Sequence, residues 1–565
     1  MFKSIKIFTA LVTLIAINIF SYQFFTRFDF TQGKIYTLSE SSKKVTKSLP
    51  LKVDVKFFLS NNLPSQTEKI KLDIQDCLQE YEALSNGKLN LEYIDPLNDE
   101  EAKKMAYMMG VAPLSLSVIE KDQKQSIQGY MGIALAIPKE EATENPQNPL
   151  ENFEKFETVD IFSSRGGFIG STQLEYEITS TLKKISSEEE KVVGFLSGHD
   201  EHTFTQVQRN FFAPQNNNPR ADYAIREALQ KNYTVQTVTI NNEEEKPVID
   251  NVDTLVVAGP QKALTEKETA AIHEFIKNGG NAIFLIDQIS ITSMYGQKMK
   301  ESFTNLLDHW GIIVQKNLVQ DTQHAEAQFS QGFFSMSLPY AFWVKVKNFN
   351  QKNNITSQLE SLVLPWVSSL KINQKEGVKT EILAFSSKKY NLAKAEKEQQ
   401  VPKEKTEEEK KEEPKTEENE KTEEAKNEEP PEMETKIVDA PIDLNPRQNF
   451  SISRLQKDSV PLAVLAQKNE EGKVVIIGNS GFLSESVVRL YPENLIFFHN
   501  IVDTFTMGDD LISIRSKGVT DRSIKSNLTE TEKNIIRWGN IIFLPLLVII
   551  FGMLRKLSRN AKKRG

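Results

Sequence analysis

Two short runs carry the side chains best suited to chemistry. Gly198-His199-Asp200-Glu201-His202 sets two imidazoles around two carboxylates, groups that hold metal ions or move protons. Gly478-Asn479-Ser480-Gly481-Phe482 offers a hydroxyl in a turn and falls one residue short of the hydrolase elbow G-x-S-x-G, which Phe482 breaks. Both runs follow short apolar stretches, 191–196 and 473–477, that read as strands. Open α/β sheets bind ligands beyond the carboxyl ends of such strands. His199, Asp200, Glu201, Asn479 and Ser480 are therefore the candidate ligand or partner surface. The His-x-x-His spacing supplies two metal ligands and the sequence places no third, so a polar turn is the stronger reading there. Gly166-Gly167-Phe168-Ile169-Gly170 is neither a Walker A loop nor a dinucleotide fingerprint. Cys77, the only cysteine, excludes an intrachain disulfide framework, a multi-cysteine zinc site and a C-x-x-C redox pair. No catalytic residue, metal or cofactor is assigned.

The elements that must position these turns read as α/β. Within 27–140 the order is strand (53–59), helix (65–85), strand (89–94), helix (98–109), Pro113, strand (114–119) and at least one more strand in 124–137. That order is similar to a thioredoxin-like domain without its redox pair, and Cys77 reads as a small residue inside a helix. Residues 138–165 read as a polar loop or excursion, and 141–185 as a connecting segment. From 186 to 392, uniformly apolar strands (191–196, 234–240, 254–258, 281–286) alternate with helices near 220–231 and 265–278. This pattern predicts a mostly parallel, doubly covered sheet. Thr265 with Glu268 predicts a capping box on the second helix. A Lys/Glu-rich insertion, 393–440, has too few aromatic and branched residues to fold and reads as disordered. The strands 460–465 and 473–477 then return to the same sheet, in a continuation over 441–530.

The chain has 565 residues, 39% of them hydrophobic and 26% charged, as expected of a mainly water-facing protein. Its net charge of -8 is concentrated: residues 393–436 hold ten Lys and seventeen Glu. The remainder is close to neutral and carries no field to recruit nucleic acid. Each end adds a hydrophobic stretch. Residues 5–25, within 1–26, carry no charge after Lys6 and suffice, at ~1.5 Å per residue, for a ~30 Å hydrocarbon core. Bulky Tyr22, Phe24 and Phe25 argue for an uncleaved anchor over a signal peptide. A second, shorter span lies in 535–555, with Trp538 as an interfacial anchor, before a basic tail (556–565). Basic outer flanks predict two spans in a bacterial inner membrane, both termini cytoplasmic and the main body periplasmic.

Several landmarks together resemble a known family. They are the N-terminal anchor followed by Arg27-Phe-Asp-Phe-Thr, Tyr36-Thr-Leu-Ser-Glu40, the strand Val55-Lys-Phe-Phe-Leu-Ser60, Glu92-Tyr-Ile-Asp-Pro96, Gly194-Phe-Leu-Ser-Gly-His-Asp-Glu201, and the closing helix with its basic tail. The chain resembles the GldG-type family of ABC-transporter auxiliary proteins, over most of its length outside the Lys/Glu tract. The resemblance implies a non-catalytic periplasmic body beside an ABC permease and ATPase, in some bacteria as part of gliding motility. It also implies a middle region similar to glutamine-amidotransferase-like folds, whose cysteine nucleophile has no counterpart after any of these strands. Two other functions stand beside it. One is a receptor presenting a small-molecule, glycan or lipid ligand to the transporter; the other is a hydrolase using His199, Glu201 or Ser480.

Overall fold

A computed structural model describes residues 37–508 except 121–122, 140–147, 163–166, 188, 203–222, 293–294, 300–302, 332–333, 358, 403–432, 447–455 and 457, with scattered positions after 508. The expected span at 5–25, and all but scattered positions of that at 535–555, lie outside the described residues. No helix among the described residues is long and apolar enough to cross a membrane. The chain divides into two units, Met1–Val519 and Thr520–Gly565, and both large sheets lie in the first.

Ser39 starts the described fold, its hydroxyl accepting from Ser42 N–H to cap α1 (Glu40–Lys47). Strand β1 (Val53–Leu59) leads to α2 (Glu68–Leu84), which buries Ile74, Leu78 and Tyr81 at helical spacing. Asn86 and Gly87, at φ 55 and 78°, end that helix in the left-handed region, where a side chain is disfavoured and glycine is not. Strand β2 (Leu89–Ile94) pairs parallel with β1. Asp99 caps α3 (Glu100–Met108). Strands β3 (Leu114–Glu120) and β4 (Gln123–Gly129) form a separate hairpin, so Pro113 precedes that hairpin and not the main sheet. Strand β5 (Met131–Pro138) pairs antiparallel with β1, and β6 (Phe153–Val159) with β5. The four-stranded sheet has the order β2-β1-β5-β6.

Strand β6 falls in the stretch expected as a loop. Its Phe-Glu-Lys-Phe-Glu-Thr-Val run carries charge at three positions, which hides the strand period but suits a sheet edge. Helix α4 (Ser171–Ser186) covers this sheet, burying Leu174, Ile178, Leu182 and Ile185 in the same core as Val55, Phe57 and Ile133.

The second sheet has eight strands. Five are parallel: β7 (Val192–Leu196), β8 (Thr234–Val238), β9 (Thr254–Ala258), β10 (Asn281–Leu285) and, from beyond the Lys/Glu tract, Lys473–Ile477. Antiparallel to the last lies Pro461–Lys468, followed by Val378–Phe385 and Asn348–Phe349. Taken in chain order, the parallel strands are arranged second, first, third, fourth, fifth, and the direction of winding reverses between β7 and β9. Alternate residues face opposite sides. Val193, Phe195, Val256 and Ile283 pack beneath α5 (Tyr223–Gln230) and α7 (Glu493–Thr506) through Ile225, Phe497, Phe498 and Ile501. Leu196, Leu255, Val257 and Phe284 pack beneath α6 (Glu266–Lys277) through Ile272 and Ile276, beside Trp310. Each buried side chain of this size stabilises the fold by about 1.5–3 kcal/mol before conformational entropy is set against it.

The Lys/Glu-rich insertion is narrower than its composition suggests. Its two flanks, Glu396–Pro402 and Met433–Asp439, pair as an antiparallel ribbon, which corrects the expectation of disorder over the whole of 393–440. Backbone pairing needs no apolar core, and Ile437 and Val438 supply branched residues near the base. Residues 403–432 lie outside the described residues.

Candidate functional site

The carboxyl ends of β7, β9, β10 and Lys473–Ile477 lie side by side, and the loops leaving them bring His199, Glu201, His202, Asp287 and Ser480 to one edge. The edge includes the winding reversal between β7 and β9, where open sheets make a ligand crevice.

His199 is held on both ring nitrogens. Its Nδ1 lies 3.0 Å from Glu201 Oε1 and its Nε2 3.1 Å from Glu268 Oε2. A carboxylate lies at each ring nitrogen, so the protonated ring can donate from both. The hydrogen bond to Glu201 lifts the histidine above its ordinary value against the opposing effect of burial, with Glu268 adding to the lift. Burial pushes the Glu268 carboxyl up, but the Thr265 N–H and hydroxyl, the Asn242 amide and His199 outweigh it and hold it low. Glu268 is also the third residue of the capping box on α6, so one carboxylate serves the cap and the histidine together.

Glu201 turns back onto its own loop. Its Oε2 accepts from Gly198 N–H at 3.1 Å and His199 N–H at 2.7 Å. Consecutive N–H groups after the first parallel strand form a concavity suited to an anion. Here the chain's own carboxylate fills it. Asp200, in contrast, lies at φ 60° and pairs with Lys262 at 3.0 Å, in solvent and away from the cluster.

A second cluster lies across the edge. His202 Nε2 is 2.8 Å from Ser480 Oγ, while the Ser480 hydroxyl donates to Asp287 Oδ2 and the Ser480 N–H donates to Asp287 Oδ1 at 2.9 Å. With its own proton directed at the carboxylate, Ser480 oxygen accepts from His202 Nε2–H. That polarity is the reverse of a serine nucleophile, whose proton must be aimed at the imidazole. Ser480 is 2% exposed and closed on both sides. Gly259 makes the approach feasible: at φ 62°, a Cβ there would fall 2.5 Å from Ser480 Oγ and 3.0 Å from His202 Cδ2. Asn479 braces the turn, donating to Pro365 O at 2.7 Å and accepting from Phe482 N–H at 2.9 Å.

Of the five residues expected at this surface, the structure joins His199 to Glu201, joins Ser480 to His202, uses Asn479 as a brace and sends Asp200 elsewhere. Asp287 and Glu268 were not among them. An aspartate right after the apolar run 281–286 was a usable signal for the first. For the second only the cap was visible, because its contact with His199 spans 69 positions. No other histidine cluster was expected, yet His273 and His309 stack with centroids 5.1 Å apart, both edge-on to Trp310. Burial lowers His273, which donates to Leu306 O, so this pair is core packing. No group of three or more His, Cys, Asp or Glu side chains among the described residues is arranged to hold a metal ion.

Comparison with solved structures gives low similarity. The mmIFT52 N-terminal domain matches at 13% identity and a TM-score of 0.33, over 56% of this chain and 98% of that one. The exo-beta-1,4-mannosidase Op5Man5 from Opitutaceae bacterium strain TAV5 matches at 10% identity and 0.22, over 60% and 40%. A cold-adapted beta-galactosidase from Rahnella sp. R3 matches at 11% and 0.23, over 61% and 36%. No curated protein matches. Residues 32–136 match a domain of unknown function, DUF7088. Residues 190–505 match the family described as ABC-type uncharacterized transport system, which takes in both clusters at the strand ends. That match spans more than half of the sequence, and the chain belongs to this family of ABC-transporter auxiliary proteins.

Proposed function

We propose that the protein is a non-catalytic, membrane-anchored subunit of the GldG type, with its body in the periplasm beside an ABC permease and ATPase. The family match over 190–505 carries the transporter role. The hydrophobic stretches at 5–25 and 535–555 with their basic flanks support the anchors and the orientation. The closed state of His199, Glu201 and Ser480 argues against hydrolysis, since none offers an open reacting face. The order β2-β1-β5-β6 favours a thioredoxin-like reading of the N-terminal sheet, and the five parallel strands favour an amidotransferase-like reading of the second.

The test is purification of the full chain in mild detergent from its native membrane. A permease and an ATPase should copurify at fixed ratio, and a cytoplasm-only reporter should work after Gly565 but not when inserted near Glu412. Reporter activity at Glu412 would overturn the topology, and reproducible absence of both partners would overturn the transporter role. The receptor reading keeps one observation in its favour, a cavity far from the strand-end clusters.

A further inference from the structure

Where the two sheets meet, a cavity of about 460 Å³ opens beside Lys191 and Thr234, at the amino-terminal ends of β7 and β8. This is the opposite edge of the eight-stranded sheet from His199 and Ser480. Sites for small molecules have this size and favour such junctions. The apolar surface that reaches the opening comes from Pro50 after α1 and Met507 after α7, with Val45, Leu49 and Leu182 buried behind it.

The polar wall is rich in lysine, and most of that charge is already engaged. Lys184 pairs with Glu157 at 2.8 Å, Lys191 pairs with Asp253 at 2.8 Å, and Lys183 donates to Met507 O at 2.9 Å. Lys155, on β6, differs. No carboxylate lies within 4.0 Å of its ammonium among the described residues, and its two acceptors, Lys184 O at 3.4 Å and Ser187 O at 3.3 Å, are distant. Those carbonyls flank Ser186, whose hydroxyl oxygen is buried in the cavity wall with no hydrogen-bond partner. An ammonium has three donors, and a buried hydroxyl without a partner is rare in a folded protein. The two groups therefore share one unmet need, an acceptor oxygen carrying negative charge. Glu189 and Glu190 also line the opening, but both are exposed and Glu190 accepts from Thr234 Oγ1 at 2.6 Å.

We propose that this cavity binds an anionic amphiphile, its carboxylate or phosphate monoester head held by Lys155 and Ser186 and its short apolar body lying along Pro50 and Met507. The proposal gives the receptor reading a location and a ligand class, and it rests on the auxiliary-subunit reading only for its biological setting.

The test uses the full chain in lipid nanodiscs, titrated calorimetrically with hexyl phosphate, hexanoate and inorganic phosphate. Empty nanodiscs supply the partitioning background. At least one of the two hexyl probes should bind saturably, and inorganic phosphate at least tenfold more weakly. Which hexyl probe binds more tightly identifies the head group. Lys155→Glu should weaken binding at least tenfold, Ser186→Ala severalfold, and Met507→Trp at least tenfold, while Lys155→Arg retains it. Melting curves identify any variant that fails to fold, and Lys155→Gln then replaces Lys155→Glu. No saturable heat above background, or equal affinity in folded Lys155 variants of either charge, would overturn the site. Copurification of the transporter is a separate readout, so loss of the partner reading and loss of the ligand site cannot be confused.

Discussion

The two edges of the eight-stranded sheet treat ionisable groups in opposite ways. At the carboxyl edge, His199 meets two carboxylates, Glu201 closes on its own loop and Ser480 is held between His202 and Asp287. Beside the amino edge, Lys155 of β6 and Ser186 of α4 face a cavity with acceptors that are distant or missing. The edge with the richer motif is thus internally satisfied, and the edge with the plainer sequence keeps unmet polar capacity. Reactive residue types at a topologically favoured place do not make a site when the chain supplies its own counter-groups. Buried groups stabilise when paired and demand a partner when they are not.

The largest effect should come from the seam that frames the cavity. Asp503 on α7 is 1% exposed and accepts from Tyr176 of α4 at 2.9 Å and from Tyr233 at 2.6 Å. It thereby ties α4, which covers the first sheet, to the second. Asp503→Ala removes the carboxylate acceptor of two phenol hydroxyls, at about 1–3 kcal/mol each. Denaturant titration of the reconstituted chain should show that loss, together with weaker binding of the hexyl probe that binds the unaltered chain. A variant of near-native stability would show that the seam does not depend on this carboxylate.

Gly259→Ala probes the carboxyl edge. Its new methyl must displace Ser480 or His202, and its φ of 62° disfavours any side chain. The expected cost is about 1–3 kcal/mol, from overpacking and the broken hydrogen-bond chain. Binding of the hexyl probe should not change, because the perturbation lies at the far edge. An altered affinity would mean the edges are coupled, and the contrast between them would fail.

Much of this architecture was legible in the sequence. Uniform apolar runs such as 281–286 and 473–477 disclosed the parallel strands, because burial on both faces removes alternation. The Thr265–Glu268 box disclosed the start of α6. Strand β6 was hidden because Lys155 and Glu157 interrupt its period, and that same Lys155 is the cation of the proposed site. Sequence also drew the eye to His199 and Ser480 by residue type alone. It gave no view of the contacts by which Glu268 and Asp287 close those groups from 69 and 193 positions away. The cavity was invisible for the same reason, since its walls come from α1, β6, α4 and α7, elements separated by hundreds of residues.

The smallest effect is also the one with a defined pH signature. His199 is lifted above its ordinary value near 6.5, so its stabilisation is fully present below about pH 6.5 and fades as pH rises through the higher folded value. Glu268 is held low, so its contribution is present above about pH 4.5 and fades on acidification through the lower folded value. Both act together between those limits. His199→Gln replaces a doubly bonded imidazolium by a neutral amide and leaves Glu201 and Glu268 facing each other without a cation. The loss should be about 1–2 kcal/mol near pH 5.5, where hydrogen bonds to charged groups count most. It should shrink steadily as pH rises through the higher folded value, where the ring loses its charge and keeps one donor. Melting curves of both chains across that range measure the gap. A gap independent of pH would mean that the histidine is not charged between its two carboxylates, and the carboxyl edge would then owe its closure to geometry alone.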